Sequence, residues 1–397
     1  WYLKQYGQNS EKWSRGKNPK VRLGAKGDWK LTISERKRIL LDHVFGVDID
    51  SQAVEVTKLS LLLKVLESEN EENILGLEFR ERALPDLGQN IKCGNSLIGS
   101  DFYKNKQGDL FNEEEMLRVN AFDWKKEFPF ASSPRVDAAK GVLALFDAVI
   151  GNPPYVRQET LGEQFKGYAQ THYKTFAGTA DLYTYFIEKG VSLLHEGGYF
   201  SYIVANKWMR ANYGKPLRTW LKQQCIEEIT DFGDLPVFEN ATTYPCIIRI
   251  KKAKPNSEFK VANIANLDFV NLNGFVKDNS FPLKKTSLDD NGWALVNQEN
   301  QNLLEKLRKS GTPLGEYVKG EIYYGIKTGL NEAFIIDSET RNRLIKEDAK
   351  SAEVIKPFLM GKDIKRYQNI TNDKYLVLFP KGRTDLNRGA EKPWDFI

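Results

Sequence analysis

Short apolar runs alternate with amphipathic segments along the first 250 residues of the chain. The runs have the length of buried strands and fall at 44–49, 91–96, 146–150, 199–205, 226–232 and 244–251. Helical spacing of apolar residues or helix-ending glycines marks the segments 35–43, 54–66, 181–195 and 216–224. This alternation predicts an α/β fold, with a mostly parallel sheet covered by helices on both faces. Ligands of such sheets bind at the carboxyl ends of the strands.

The pattern changes near residue 300, where glycine, tyrosine and basic residues begin to mix. We therefore predict a catalytic domain at 1–300 and a second domain from 301 to 397. Polar, irregular sequence near 8–30 and 100–140 indicates two insertions in the first domain.

Composition and charge narrow the possible classes of protein. The 397 residues include three cysteines and three histidines, all far apart, which argues against a disulfide scaffold and against a metal site. No apolar run approaches the ~18 residues of a membrane helix, so we expect a cytoplasmic protein that does not bind membranes. The net charge is +8 over residues 1–38 and +4 over 301–397, around an acidic middle. Basic ends suit a polyanion at the periphery of a catalytic body, although an ordinary solvated surface is the alternative.

The sharpest motif is Asn152-Pro153-Pro154-Tyr155, which directly follows the apolar run 146–150. Two successive prolines fix the backbone and offer no N–H group, so the Pro153 carbonyl is held as a bare acceptor. The side-chain oxygen of Asn152 is a second acceptor, and Tyr155 supplies a flat ring for stacking. This combination predicts a site that grips an amino group on a planar ring, such as the exocyclic amine of adenine.

Hydrogen bonds to both amine protons would favour a pyramidal nitrogen and localise its lone pair, which selectively stabilises the transition state of attack by that nitrogen. The alternative is a Pro-Pro loop end followed by a core tyrosine.

The stretch 146–159 resembles the extended signature of the N6-adenine DNA methyltransferases of restriction–modification systems. It is most similar to the subgroup with a C-terminal recognition domain, which includes single-chain, type IIG-like enzymes that fuse nuclease, methylase and specificity parts. The resemblance implies a Rossmann-like, S-adenosylmethionine-dependent methyltransferase sheet, and double-stranded DNA as the partner. It also implies that 301–397 is the beginning of an α+β target-recognition domain.

The resemblance implies roles for residues after two other strands. Asp48 matches the acid that binds the ribose hydroxyls of S-adenosylmethionine, and Ile49 would pack on the adenine ring of that cofactor. Asn95 and Ser96 match the segment that contacts the cofactor's adenine amine, although relatives often have Asp at the position of Asn95. The alternatives are a helix-capping role for Asp48, which Asp50 could fill equally well, and a turn role for Asn95.

Phe238 matches the aromatic residue that sandwiches the target base opposite Tyr155. Reaching N6 requires the base to leave the duplex, and two stacking rings offset part of the unstacking cost. An ordinary core phenylalanine is the alternative. The segments 179–183 and 198–208 resemble scaffold around the site.

The chain departs from the family at one essential element, because it has no Gly-rich loop of the Pro-Ala-Cys-Gly-Ser-Gly kind. We expect this loop and its strand upstream in the same polypeptide, possibly with a nuclease domain, and we expect the chain alone to bind S-adenosylmethionine weakly. The loose nuclease pattern of Asp86 and 123–125 is interpreted as a chance match. Two other functions stay open: methylation of RNA adenine or protein glutamine, and a catalytically silent DNA-binding component of a defence system.

Overall fold

The computed structural model describes residues 2–24, 26–67, 85–106, 118–129, 146–156, 162–238, 243–321, 331–363 and 373–378. The chain divides into two compact units, residues 1–305 and 306–397. The predicted domain boundary at residue 300 and the division at 305 both lie within one helix, Gln298–Ser310.

The first unit is a mixed α/β structure. Its strands are β1 (Val21–Leu23), β2 (Trp29–Leu31), β3 (Gly46–Asp48), β4 (Ile91–Cys93), β5 (Phe146–Gly151), β6 (Leu194–Ala205), β7 (Cys225–Asp231), β8 (Pro245–Lys251), β9 (Glu258–Asn263) and β10 (Phe281–Lys284). Its α-helices are α1 (Tyr2–Gly7), α2 (Ser10–Trp13), α3 (Ile33–His43), α4 (Ser51–Leu66), α5 (Trp124–Glu127), α6 (Gly162–His172), α7 (Tyr183–Ser192), α8 (Lys215–Lys222), α9 (Leu272–Asn279) and α10 (Gln298–Ser310), the last of which crosses residue 305.

A six-stranded sheet in the order β10-β9-β7-β8-β6-β5 forms the centre of this unit. The pairs β5–β6 and β7–β9 are parallel, whereas β6–β8, β7–β8 and β9–β10 are antiparallel. The expectation of a mostly parallel sheet was therefore wrong for these strands. β8 lies between β7 and β6 and is antiparallel to both. The sequence could not predict this, because an apolar run does not indicate the direction of its strand.

β3 and β4 form a separate parallel pair in which Asp48 lies opposite Cys93. Aromatic rings connect this pair to β5. Phe45, just before β3, lies with its ring centroid 6.1 Å from that of Phe146, the first residue of β5. The ring of Phe128 lies 5.7 Å from Phe45 and 6.0 Å from Phe146. β3 and β5 thus begin at one aromatic cluster.

The main core covers the six-stranded sheet. It contains the fully buried Phe200, Trp208 and Ile248, and the rings of Trp208 and Trp293 meet edge to face at 5.2 Å. The buried guanidinium of Arg218 donates to the carbonyls of Trp208, Ala211 and Asp290, which fixes the chain after β6.

The N-terminal region is fixed around the buried carboxylate of Glu35. Tyr6 donates to it at 2.6 Å, Lys20 lies 2.8 Å away and Arg38 lies 2.6 Å away. Burial alone would raise the pKa of Glu35, but the hydrogen bonds from Arg38, Lys20 and Tyr6 outweigh it and lower the pKa to about 2. The stretch 8–30, expected to be an insertion, contains α2 and β1 and the beginning of β2, which is antiparallel to β1.

The second unit contains a small antiparallel sheet with helices. Its strands, in the order β11-β13-β12, are β11 (Ile335–Asp337), β12 (Ile355–Pro357) and β13 (Lys374–Val377). Its helices are α11 (Leu314–Tyr317), α12 (Asn331–Phe334), α13 (Ser338–Glu347) and α14 (Ser351–Val354). Val354, Ile355 and Val377 form its buried core. None of the helices described in either unit is both long and apolar enough to cross a membrane.

Candidate active site

The Asn-Pro-Pro-Tyr segment lies directly at the carboxyl end of β5. Asn152 and Pro154 are exposed, Pro153 is buried and Tyr155 is half-buried. Gly151 pairs with Tyr202 of β6, and a Cβ atom at Gly151 would lie 2.9 Å from Cε1 of the Tyr202 ring. Only glycine therefore fits immediately before Asn152 without movement of the ring or the loop.

The side chains of Asn152 and Tyr155 are joined by a hydrogen bond. The Tyr155 hydroxyl donates to Asn152 Oδ1 at 3.2 Å. An amide oxygen has two lone pairs, so Asn152 can still accept one further hydrogen bond. The Pro153 carbonyl accepts no hydrogen bond from any residue that the structure describes. The loop thus offers two neighbouring acceptor positions.

The Tyr155 ring packs against the edge of the main core and is partly exposed to solvent. It meets the Tyr183 ring edge to face, at 6.2 Å between centroids and 63° between planes. Burial, with a smaller effect of Cys246, raises the pKa of Tyr155 to about 12. The phenol is therefore neutral at physiological pH, and its hydroxyl remains a donor to Asn152.

The start of α7 packs against the loop that contains Asn152 and Tyr155. The Leu182 backbone N–H donates to the Val156 carbonyl at 2.8 Å, one residue after Tyr155. The next residue, Tyr183, makes the ring contact with Tyr155. One backbone bond and one ring contact therefore fix the loop against the same turn.

A second set of predicted residues lies at the carboxyl end of β3. Asp48 is exposed, and its Oδ1 accepts the Asp50 backbone N–H at 2.8 Å. Asp50 caps α4 by accepting the Gln52 N–H at 2.8 Å, so the capping role considered for Asp48 belongs to Asp50. The other carboxylate oxygen of Asp48 bonds to no described residue. The neighbouring Ile49 is 57% exposed.

Asn95 and Ser96 follow β4, the parallel partner of β3. Asn95 Oδ1 accepts the backbone N–H groups of Leu97 at 3.1 Å and Ile98 at 3.3 Å, which is a turn role. The Asn95 side chain therefore has its Nδ2 donor left for a ligand. The Ser96 carbonyl accepts the indole N–H of Trp124 at 3.1 Å.

α7 connects the two sets of residues. Tyr183 contacts Tyr155, whereas Tyr185, two positions along, packs in the cluster that contains Leu97 and Ile98. The Tyr173 hydroxyl also donates to the Leu97 carbonyl at 2.6 Å. The loops after β4 and β5 therefore rest against the beginning of the same helix.

Phe238 is half-buried in the loop that follows β7. The neighbouring Leu235 and Val237 pack against the cluster around Phe232 and Ile264. Within the ranges that the structure describes, Phe238 makes no ring contact with Tyr155. The role of Phe238 opposite Tyr155 therefore stays a prediction.

The structure also joins the segment 179–183, which the sequence assigned to scaffold with Asp181 as a weak site candidate, to the distant Tyr213. The Tyr183 hydroxyl lies 2.8 Å from that of Tyr213, which donates to Asp181 Oδ2 at 2.8 Å. Tyr213 is 30 residues from Tyr183, and no spacing pattern joins the two positions. Tyr202, which lies against Gly151, was assigned only to scaffold.

The residues after β3 fit the adenosine half of S-adenosylmethionine. A carboxylate with a free oxygen suits a ribose diol, and the exposed apolar surface of Ile49 suits an adenine ring. In the part of the chain that the structure describes, no group of three or more His, Cys, Asp or Glu could hold a metal ion.

Residues 42–238 match the family model described as Eco57I restriction-modification methylase. The chain is 30% identical over 324 residues to the type II restriction enzyme and methyltransferase RM.Eco57I of Escherichia coli. This match covers 77% of this chain and 28% of that protein. It is 29% identical over 208 residues to the type II methyltransferase M.PaeR7I of Pseudomonas aeruginosa. This second match covers 49% of this chain and 36% of that protein.

The chain thus spans about a third of the length of these curated relatives. Among solved structures it is similar to the type IIL restriction-modification enzyme MmeI in complex with DNA. That likeness has a TM-score of 0.44 and 14% identity, over 98% of this chain and 50% of the other.

Proposed function

The chain belongs to the Eco57I restriction-modification methylase family through residues 42–238, and on that premise we propose that it is the methylating part of a restriction–modification or phage-defence system. Its substrate is double-stranded DNA. The methyl group is transferred to N6 of an adenine that has left the duplex. The observation that carries this proposal is the loop at the end of β5, where two acceptors lie beside a neutral tyrosine ring.

Asn152 and Pro153 act on the amine of the target adenine. Asn152 Oδ1 keeps one lone pair after its bond to Tyr155, and the Pro153 carbonyl is not bonded to any described residue. Each oxygen accepts one N6 proton, which favours a pyramidal nitrogen and returns its lone pair from the ring. No base of high pKa is needed beforehand, because a proton leaves readily once the nitrogen has become cationic.

Tyr155 and Phe238 hold the base. The Tyr155 ring is half-buried and braced by Tyr183, so it offers a fixed face for stacking. Stacking on an aromatic ring is worth about 1–3 kcal/mol per base, which offsets part of the cost of extrusion. Phe238 lies in the loop after β7, a strand of the same sheet that β8 and β6 separate from β5, and it supplies the second face.

Asp48, Ile49, Asn95 and Ser96 bind the cofactor, S-adenosylmethionine. When bound, this group supplies a methyl carbon on a sulfonium, an electrophile that needs no further activation. Asp48 accepts from the ribose hydroxyls through its free carboxylate oxygen, and Ile49 covers one face of the adenine. The Asn95 Nδ2 donor faces no competing described partner, so it suits a ring nitrogen better than an amine.

We further propose that a segment preceding residue 1 completes the cofactor pocket and brings the Gly-rich loop. In the described structure β3 pairs with β4 alone and β5 with β6 alone, so each has one unpaired edge. Apolar surface lies nearby, since Ile150 of β5 is 86% exposed and Val56, Leu59 and Leu63 of α4 are each more than half exposed. An open strand edge beside apolar surface is what an additional strand would cover. Such a segment can also carry a nuclease domain.

A calorimetric titration tests this proposal. S-adenosylmethionine is titrated into the chain alone and into the longer polypeptide that contains it. We expect micromolar binding by the longer polypeptide and at least tenfold weaker binding by the chain alone. Equal micromolar affinities would show that the pocket is complete without the added segment.

Residues 306–397 are proposed to begin the domain that recognises the DNA sequence. The stretch 301–397 has a net charge of +4, and basic and aromatic residues interleave there. One such pair is formed by Arg341, whose guanidinium lies 4.8 Å from the centre of the Tyr375 ring. Arginine and aromatic side chains are suited to phosphate and base contacts.

The function is tested with the intact polypeptide and the variant Asn152→Ala. Labelled methyl transfer is measured to duplex DNA, RNA and protein, and sequencing that detects modified bases then identifies the methylated position and its context. We expect N6-methyladenine in duplex DNA, and a loss of about 100-fold or more in kcat for Asn152→Ala with DNA affinity kept. Asn291→Ala, an exposed asparagine outside the site, is the matched control.

Other outcomes would contradict specific parts of the proposal. Methylation of RNA or of protein glutamine would assign a different acceptor to the same loop. DNA binding without any transfer would identify a silent defence component. Unchanged turnover by Asn152→Ala would remove the amine-binding role of that residue.

A further inference from the structure

A chain of three hydrogen-bonded side chains lies behind the Tyr155 ring. Tyr183 is fully buried, and its hydroxyl lies 2.8 Å from the Tyr213 hydroxyl. The Tyr213 hydroxyl donates to Asp181 Oδ2 at 2.8 Å. These residues come from the start of α7, from the turn just before it and from the short helix Asn212–Gly214.

The carboxylate of Asp181 fixes the direction of every bond in this chain. A carboxylate only accepts, so Tyr213 must donate to Asp181 and the oxygen of Tyr213 must accept from Tyr183. Burial, followed by the neighbouring Tyr213 and Asp181, raises the pKa of Tyr183 far above its ordinary value, so its hydroxyl stays protonated. Both phenol rings are thereby held at two points, by packing at the ring and by a directed bond at the hydroxyl.

This arrangement is more than filling of the core. Phenylalanine could occupy the same apolar space without placing two hydroxyls in a partly buried position, where a hydroxyl without a partner costs free energy. A directed chain that ends on a charge is stronger than isolated neutral bonds, because each bond polarises the next. The chain therefore stiffens the orientation of the Tyr183 ring beyond what packing provides.

The Tyr183 ring in turn contacts the ring that is proposed to hold the target base. Its edge meets Tyr155 at 6.2 Å between centroids, and the backbone beside it bonds to Val156. Rotation of the Tyr155 ring toward the core would need Tyr183 to move. The hydrogen bond from Tyr155 to Asn152 Oδ1 also restricts movement of the Asn152 amide, which is proposed to bind the amine.

We propose that Tyr183, Tyr213 and Asp181 are positioning residues, which hold the Tyr155 ring and the Asn152 amide in the geometry needed for transfer to the base. This inference rests on the proposed function, because it assigns a role to the site in adenine methylation. None of the three residues needs to touch the base. Their effect is on how precisely the base is held, and therefore on kcat rather than on DNA affinity.

The test uses Tyr183→Phe, Tyr213→Phe and the double variant in the intact polypeptide. Tyr199→Phe is the matched control, since it removes the hydroxyl of a tyrosine that is 45% exposed on β6 and lies outside the three bonded side chains. Turnover is measured with a duplex that contains the sequence methylated by the wild type. We expect each single variant to lower kcat about tenfold with KM for DNA changed less than twofold. The double variant should lose no more than the worse single variant, because both break one chain.

A second readout does not depend on turnover. A duplex with 2-aminopurine at the target position is bound without cofactor, and fluorescence lifetimes report how much of the extruded base is stacked. We expect Tyr183→Phe and Tyr213→Phe to increase the unstacked fraction and Tyr199→Phe to leave it unchanged.

The possible results separate the two proposals. If the wild type does not methylate adenine, the proposed function fails, and the positioning role fails with it. If the wild type methylates adenine but Tyr183→Phe and Tyr213→Phe match Tyr199→Phe in both kcat and lifetimes, the positioning role alone is overturned. Equal losses of kcat in Tyr183→Phe, Tyr213→Phe and the control variant, together with lower melting temperatures, would show general destabilisation. That result would also overturn the positioning role.

Discussion

Gly151 offers the most direct test of how tightly the site is built. A Cβ atom there would lie 2.9 Å from Cε1, 3.2 Å from Cζ and 3.4 Å from Cδ1 of the Tyr202 ring. Carbon atoms in contact are separated by about 3.5–4.0 Å, so Gly151→Ala must open this approach by roughly 0.6 Å or more. Either the Tyr202 ring or the backbone before Asn152 has to move by that distance.

The Tyr202 ring has little room to retreat. The Phe200 ring lies with its centroid 4.3 Å away. On the α7 side, the Tyr202 hydroxyl lies so close to Gly190 that a Cβ atom there would meet it at 3.3 Å. We therefore expect most of the displacement to fall on the end of β5, at Asn152. A misplacement of about 1 Å at a reacting centre can cost about 100-fold in rate, so a shift of this size should lower kcat by about 10- to 100-fold.

The assay compares Gly151→Ala with Gly167→Ala in the intact polypeptide. Gly167 lies within α6, and a Cβ atom there would meet nothing within 4 Å. We expect the control to keep wild-type turnover, while Gly151→Ala loses turnover at a stability cost of about 1–3 kcal/mol for overpacking. Wild-type kcat in Gly151→Ala would refute the reasoning, because it would mean that the loop tolerates the displacement or that Asn152 does not set the rate.

Two further predictions concern charge and stacking. The lowered pKa of Glu35, from 4.5 to about 2, contributes about 3 kcal/mol of stability that is fully present above pH 4.5 and is lost as the pH falls toward 2. Urea unfolding of wild type and Glu35→Gln should therefore show a stability difference that shrinks by about 1.4 kcal/mol between pH 7 and pH 3.5, and a constant difference would contradict the assigned pKa. At Tyr155, replacement by Phe should lower kcat about fivefold through loss of the bond to Asn152, whereas replacement by Ala should also weaken stacking of a 2-aminopurine target by about 1–3 kcal/mol. Equal lifetimes for the two variants would mean that the ring does not hold the base.

The sequence was sufficient to place the loop at a strand end and insufficient to predict which residues support it. An apolar run that ends in Asn152-Pro153 defines a strand end and two acceptors, and the structure has β5 ending at Gly151. Short-range patterns also indicated Asp50 or Asp48 as the capping residue before α4, and the structure gives that role to Asp50. The antiparallel direction of β8 could not be predicted, since an apolar run of seven residues reads the same in either direction. The bond between Tyr183 and Tyr213 depends on how distant segments pack, which no local pattern encodes.

The way in which the two halves of the site are joined explains why those supports matter. In the described structure no backbone bond connects the β3–β4 pair to the sheet that contains β5. The two are joined by the aromatic cluster of Phe45, Phe128 and Phe146 at the beginning of the strands, and by α7 against the loops after β4 and β5. A methyl donor held after β3 and an acceptor base held after β5 would thus be aligned by side-chain packing on one helix. Packing of this kind is intolerant of changes in volume or direction. The close approach at Gly151 and the directed bonds at the start of α7 are therefore the places where a small change should alter the rate while binding is kept.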